Sequence, residues 1–116
     1  MFATSTRFTV PAGAEWESIG RELVRRAFHT WEHANGLRSA TLVVVPAHRE
    51  FGGNHVWDTQ EDAETFFRSP AWQRVVEKYG EPRIERAEIR AFIERGSIIY
   101  PTDFDERLAG ASASID

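Results

Sequence analysis

The chain has 116 residues, 41% hydrophobic and 28% charged, which suits one globular domain and not a disordered chain. A net charge of −4, with 14 Lys and Arg against 18 Asp and Glu, offers no basic surface for nucleic acid. The absence of cysteine excludes disulfides, thiolate metal sites and a thiol nucleophile, and the longest apolar run, "LVVVPA", is too short to cross a bilayer.

The first segment, "TSTRFTV" from Thr4 to Val10, is rich in Thr, Phe and Val and ends at "PAG", so it is expected to be a strand. Phe8 and Val10 share one face of it, Arg7 and Thr9 the other. The beginning "MFATSTRFTV" lacks the charged-then-apolar layout of a secretory signal, and a cytoplasmic location is expected. A helix follows from about Ala14 to Ala34, stopped by Asn35 and Gly36. Trp16, Ile19, Leu23, Ala27, Trp31 and Ala34 recur at helical spacing, and Val24 and Phe28 widen the stripe.

"RSATLVVVPA" is the strongest strand in the chain, with Leu42 and Val44 on one face and Thr41, Val43 and Val45 on the other. Both faces are apolar, so cover on both sides is expected. "HREFGGN" is expected to be a loop, because it carries a glycine pair. "HVWD" is then a short third strand with His55 and Trp57 on one face. Thr59 opens the second helical region, with Asp62 three residues on. Ser69 and Pro70 interrupt it and restart a turn, Trp72, Val75, Val76 and Tyr79 form its inner stripe, and Gly80 ends it.

"RIERAEIRAFIER" is expected to be the fourth strand, with Ala87, Ile89, Ala91 and Ile93 on one face and Arg86, Glu88, Arg90 and Glu94 on the other, Phe92 among them. "GSIIYP" adds a short edge strand, limited by Pro101. The end, "AGASASID", is small and polar and is expected to fray. The domain is thus assigned to residues 1–95, with 96–116 as a C-terminal extension.

The order β-α-β-β-α-β predicts an α+β, ferredoxin-like fold with a four-stranded antiparallel sheet. Two helices cover one face and leave the other open. Since the second strand is apolar on both faces, the open face is expected to pair with a second copy, making a homodimer.

"HTWEH", from His29 to His33, fits the H-x-x-E-H string of one class of zinc proteases. At about 100° per residue, however, His29, Glu32 and His33 lie opposite the apolar stripe, on a convex outer face that offers no third ligand. Two solvated histidines are expected, and no metal.

His48 and His55 are better placed for chemistry. His55 and Trp57 share a strand face, and if that face looks into the open side of the sheet they line a cavity with the charged row of the fourth strand. A Trp supplies a flat apolar wall, an Arg holds a developing enolate or phenolate, and a His moves a proton near neutral pH. The candidate catalytic residues are His55, Arg90 and Glu88. The candidate substrate contacts are Trp57, Arg7, Arg86, Phe92 and His48.

With these residues in place, the chain from about residue 4 to 95 resembles the dimeric α/β-barrel superfamily, and within it the antibiotic-biosynthesis-monooxygenase-like group. The segment that carries the likeness is "VWDTQEDAETFFRSPAWQRV": a strand-end Trp, an acidic helix start, aromatics, then "SPAW". The resemblance implies a homodimer whose two sheets form a barrel, with a small-molecule pocket between sheet and helices in each subunit. It also implies oxygenation of polycyclic phenols without metal or flavin, the substrate carbanion itself reducing oxygen. Trp57 matches the Trp that such members carry before the second helix. Haem-degrading relatives ligate iron through a His on that helix, where "ETFFRS" has none, so no cofactor is expected. The first strand also offers Thr and Arg where those enzymes often place an Asn. Other relatives are cyclases or isomerases on polyketide-like substrates. A non-catalytic dimeric module that binds a small ligand is the alternative outside enzymology.

Overall fold

The structure is a computed structural model that describes residues 1–100, apart from the side chains of Phe28 and Ile99. The expected fraying end therefore lies outside the described residues. The chain runs β1 (Phe2–Thr9), α1 (Trp16–Trp31), β2 (Leu37–Val45), a short turn of 3-10 helix (Pro46–His48), β3 (Glu50–Trp57), α2 (Gln60–Phe67), α3 (Pro70–Tyr79), β4 (Arg83–Glu88), β5 (Phe92–Glu94) and β6 (Ser97–Ile99). The four long strands form one antiparallel sheet in the order β2-β3-β1-β4. This is the expected α+β, ferredoxin-like fold.

Alternation fixes the inner face of the sheet. Phe2, Thr4, Thr6 and Phe8 of β1 are buried, and register places Trp57, His55, Gly53 and Phe51 of β3 opposite them. Cα partners on neighbouring strands point the same way, so these residues share the helix-covered face. The core joins Phe2, Phe8, Val10, Phe51 and Trp57 of the sheet side to Ala63, Phe66, Phe67 and Trp72 of the helices. The α1 stripe packs against it as expected through Trp16, Ile19, Leu23, Trp31 and Ala34. Val24 does not belong to that stripe, being 68% exposed.

The helix ends follow their capping chemistry. The Thr59 hydroxyl accepts the Asp62 N–H at 3.0 Å, and the Ser69 hydroxyl accepts the Trp72 N–H at 3.3 Å, with Pro70 in the first turn. Each satisfies one of the donors that a helix start leaves without a partner. Gly80, at φ 90°, ends α3 by a conformation that a side chain disfavours.

Three expectations are corrected. The glycine pair does not form a loop: Gly52 and Gly53 sit inside β3, which runs from Glu50. The fourth strand does not reach Arg95. Its partner β1 starts at Phe2, opposite Glu88, and only the Ile89 N–H bond to the Met1 carbonyl, at 3.0 Å, follows before the pairing partner runs out. The chain instead folds back as the β5–β6 hairpin, turned by Gly96 at φ 85°. The charged row is also not on the open face. Arg86 and Glu88 pair with Thr4 and Phe2, on the helix side, while Glu85 and Ala87 point away. Arg86 reaches Glu64 of α2 in a two-pronged ion pair and lies over the Phe67 ring at 5.9 Å. On an edge strand, a long guanidinium stem can lie on apolar surface and still meet a charge.

Among the described residues no helix is long and apolar enough to cross a membrane.

Candidate functional site

A cavity of about 360 Å³ opens between the sheet and helices α1 and α3. Thr6, Phe8, Gly53 and His55 make its floor, and Trp31 and Trp72 stand among its walls. The exposed side chains of Arg26, His29, Arg74 and Lys78 mark its rim. The volume is in the range of small-molecule sites, as is the pattern of an apolar lining with few polar groups.

His55 is the polar centre of the floor, 2% exposed. It lies on the helix-covered face and not on the open face, so the condition for a cavity shared with the charged row of the fourth strand is not met, and the cavity is between sheet and helices. Its ring stacks on Trp31, centroids 4.2 Å apart and planes at 26°, and Trp31 stacks in turn on Phe66 at 4.5 Å and 22°. Behind it runs a buried chain of polar atoms. The Trp57 indole N–H donates to Thr4 Oγ1 at 2.9 Å, and Thr4 Oγ1 lies 3.0 Å from His55 Nδ1. An indole nitrogen can only donate, so the threonine hydroxyl keeps one proton to give. When it gives that proton to Nδ1, the imidazole carries its own proton on Nε2. That Nε2 is buried without a partner among the described residues and rests over Gly53, where a Cβ would lie only 2.8 Å from it. A buried polar atom without a partner costs about 1–3 kcal/mol. A ligand oxygen or a water at the cavity floor would remove that cost.

Burial pushes the His55 pKa from 6.5 down to about 4; the Thr4 backbone offsets part of the shift and the Arg7 charge adds to it. The imidazole is therefore neutral at pH 7 and does not titrate near neutrality, contrary to the proton-shuttling role expected of it. The consequence for stability has a definite sign. The unfolded chain binds this proton below pH 6.5 and the folded chain only near pH 4, so the contribution is whole above 6.5 and lost as pH falls towards 4. The loss is roughly 3 kcal/mol at about 1.4 kcal/mol per unit. Urea unfolding at a series of pH values should show it in the native chain and lose it in His55→Gln. An equal slope in both proteins would mean that this imidazole is not held neutral.

Trp57 stands beside His55 but is 0% exposed, and it acts from behind the floor through Thr4. The other candidates lie away from the cavity. Arg7 is on the open face, where its guanidinium donates to the Gly53 carbonyl at 3.1 Å and to Asn54 Oδ1 at 3.0 Å. Arg86 is engaged with Glu64. Glu88 and Arg90 pair with each other at 3.5 Å, both exposed, at the end of β4. Phe92 belongs to the hairpin, and His48 to an exposed turn beside Glu50.

The chemistry-bearing residues that sequence reasoning passed over are Thr4, Thr6, Gly53, Arg26, Arg74 and Lys78. Thr4 carries no local signal, since its partner is 51 residues away. Arg74 and Lys78 are four apart and flank the α3 stripe, a spacing visible in the sequence, but only the approach of α1 gives it meaning.

The "HTWEH" string keeps both histidines exposed as expected, but His29 stands at the cavity rim and not on a face away from it. His29 and His33 are exposed and approach Glu32 at 3.7 and 3.4 Å, while Trp31 between them is the wall residue stacked on His55. Among the described residues no group of three His, Cys, Asp or Glu is arranged to hold a metal ion.

No family profile matches the sequence, and no curated protein matches it. Solved structures do share its fold. One is the R26S mutant of MhuD, crystallised with two manganese protoporphyrin IX per active site: TM-score 0.63, 16% identity, 81% of this chain and 99% of that one. Another is the NE2512 protein of unknown function from Nitrosomonas europaea: TM-score 0.64, 13% identity, 80% and 92%. A third is an antibiotic biosynthesis monooxygenase: TM-score 0.61, 12% identity, 77% and 98%. The expected likeness to the antibiotic-biosynthesis-monooxygenase-like proteins is thus found in the fold. A porphyrin does not fit the residues present here. Helix α2 has no histidine, and the histidine of the cavity floor is packed flat against Trp31.

Proposed function

We propose that the protein is a cofactor-independent, monooxygenase-like enzyme acting on a small aromatic or polyketide-like molecule held in the cavity between sheet and helices. The observation that carries this reading is the buried, neutral imidazole at the floor of an aromatic-walled cavity, its Nε2 without a partner. A neutral imidazole with a pKa near 4 is a weak base but a good fixed donor. With its proton on Nε2, it stabilises the oxygen of a phenolate or enolate and so favours the substrate anion. Thr4 and Trp57 hold the tautomer and the ring plane. Trp31, already stacked between His55 and Phe66, and Trp72 give the ring system an apolar wall and exclude water. In the reaction this chemistry supports, a ring CH₂ and O₂ become a ring carbonyl and water, electrons passing from the substrate carbanion to oxygen.

The working unit is a cytoplasmic homodimer. Support comes from the sheet face that no described element covers, and from the exposed Ile93 and Ile98 of the β5–β6 hairpin. The candidates outside the cavity, Arg7, Arg86, Glu88, Arg90, Phe92 and His48, meet a ligand only if the second copy brings them to one.

Oxygen uptake with an anthrone-type phenol tests the reading. The native protein should consume oxygen, and His55→Phe should lower kcat/KM by about 100-fold or more, the scale of removing one oxyanion donor, while the native mass in solution stays that of a dimer. Binding without oxygen uptake would point to a cyclase, isomerase or binding module on the same cavity. Equal turnover in the variant would remove His55 from the chemistry.

A further inference from the structure

The acidic chain has a basic mouth to its cavity. Among the described residues that line it there is no Asp or Glu, whereas Arg26, Arg74 and Lys78 all do. Net charge over the whole sequence is −4, so this concentration of cations runs against the composition. One carboxylate stands close by: Glu22 on α1 pairs with Arg26 at 3.1 Å and with Lys78 of α3. It neutralises one of the three cations. Arg74 has no ion partner among the described residues. The rim therefore keeps a positive excess, on two helices that face each other across the opening.

The floor and the rim call for different things. At the floor, His55 lines the cavity and its Nε2 is a buried polar atom without a partner among the described residues, packed over Gly53. Between floor and rim the lining is aromatic and aliphatic, with Trp31, Trp72, Phe8, Leu23, Leu42 and Tyr79. We infer that the ligand of this cavity is a planar aromatic acid, with a ring oxygen placed at His55 Nε2 and a carboxylate or similar anion at the rim cations Arg26, Arg74 and Lys78. The inference rests on the cavity being the ligand site and narrows the substrate class for it. It is carried by two independent observations: the orphaned floor nitrogen, and the absence of any carboxylate from a lining that holds three cations. The apolar span fixes the order, because a charge seated among the tryptophans would have no partner, whereas at the rim it keeps both water and a guanidinium.

Three probes separate the parts: 6-hydroxy-2-naphthoate, its methyl ester, and 2-naphthoate without the hydroxyl, each titrated calorimetrically into the full chain. The acid should bind roughly five- to tenfold tighter than the ester, the scale of two partly exposed ion pairs. The preference should shrink with added salt, since rim charges are screened. Arg26→Gln with Arg74→Gln should bring the acid down to the ester and leave the ester unchanged. 2-Naphthoate should bind more weakly than the hydroxy acid in the native chain, and that difference should vanish in His55→Phe. Equal binding of acid and ester, or a preference untouched by the double substitution, overturns the inference while the cavity remains the ligand site. If none of the three probes binds, the cavity reading itself fails, and the inference with it.

Discussion

Gly52→Ala is expected to destabilise the fold by about 3 kcal/mol or more, placing it at the upper end of what single substitutions do. A Cβ at this position would collide with the carbonyl of Thr6 and lie 3.3 Å from Arg7 Cα, all backbone of the neighbouring strand. Side chains can rotate away from an intruding methyl group, but a strand held in its ladder cannot. β1 lies between β3 and β4, so moving it disturbs both pairings. The same substitution at Gly20 is the control. It lies in α1 with nothing within 4 Å of the added carbon, and alanine there should stabilise by about 0.5–1 kcal/mol. Urea midpoints for the two variants should therefore move in opposite directions. If both moved together, or Gly52→Ala matched the native chain, the close approach of β1 and β3 would be wrong.

Trp57→Ala is the second large effect, expected at about 3–5 kcal/mol for a fully buried tryptophan. The indole fills the core against Trp31, Phe66 and Phe67, and its N–H is the first donor in the chain through Thr4 to His55. Trp57→Phe divides the two roles. It keeps most of the packing and drops the donor, so about 1–2 kcal/mol should be lost. In the phenylalanine variant the nitrogen shifts of His55 should also change, because the Thr4 hydroxyl no longer has to pass its proton on. An unchanged imidazole spectrum would break the proposed relay, whatever the stability.

These two positions show what a sequence discloses and where it stops. The β-α-β-β-α-β order, the α1 stripe and both helix caps could be read directly, because each rests on contacts a few residues apart. The glycine pair misled for a physical reason. Glycine is poor in isolated strands, and only a neighbouring backbone explains why β3 needs it. In the fourth strand the alternation continues past Glu88 while its partner does not; a strand ends where pairing ends, and that boundary is set by the start of β1 at the other end of the sequence. The same register decides which way Arg86 and Glu88 point. In the site, the shared face of His55 and Trp57 is legible from the alternation of "HVWD", but which side of the sheet it looks to is not, and it is the helix-covered side. Thr4 was invisible because a hydroxyl in the middle of "TSTRFTV" matters only once residue 55 lies opposite it.

The stack of Trp31 on His55 also gives the molecule an optical signal of its own. A protonated imidazole quenches an adjacent indole and a neutral one does so weakly, so emission from Trp31 should stay bright through neutral pH and dim only as the solution approaches pH 4. Any molecule that slides between this indole and the opening alters the same emission, and the native chain reports its own occupancy without a label.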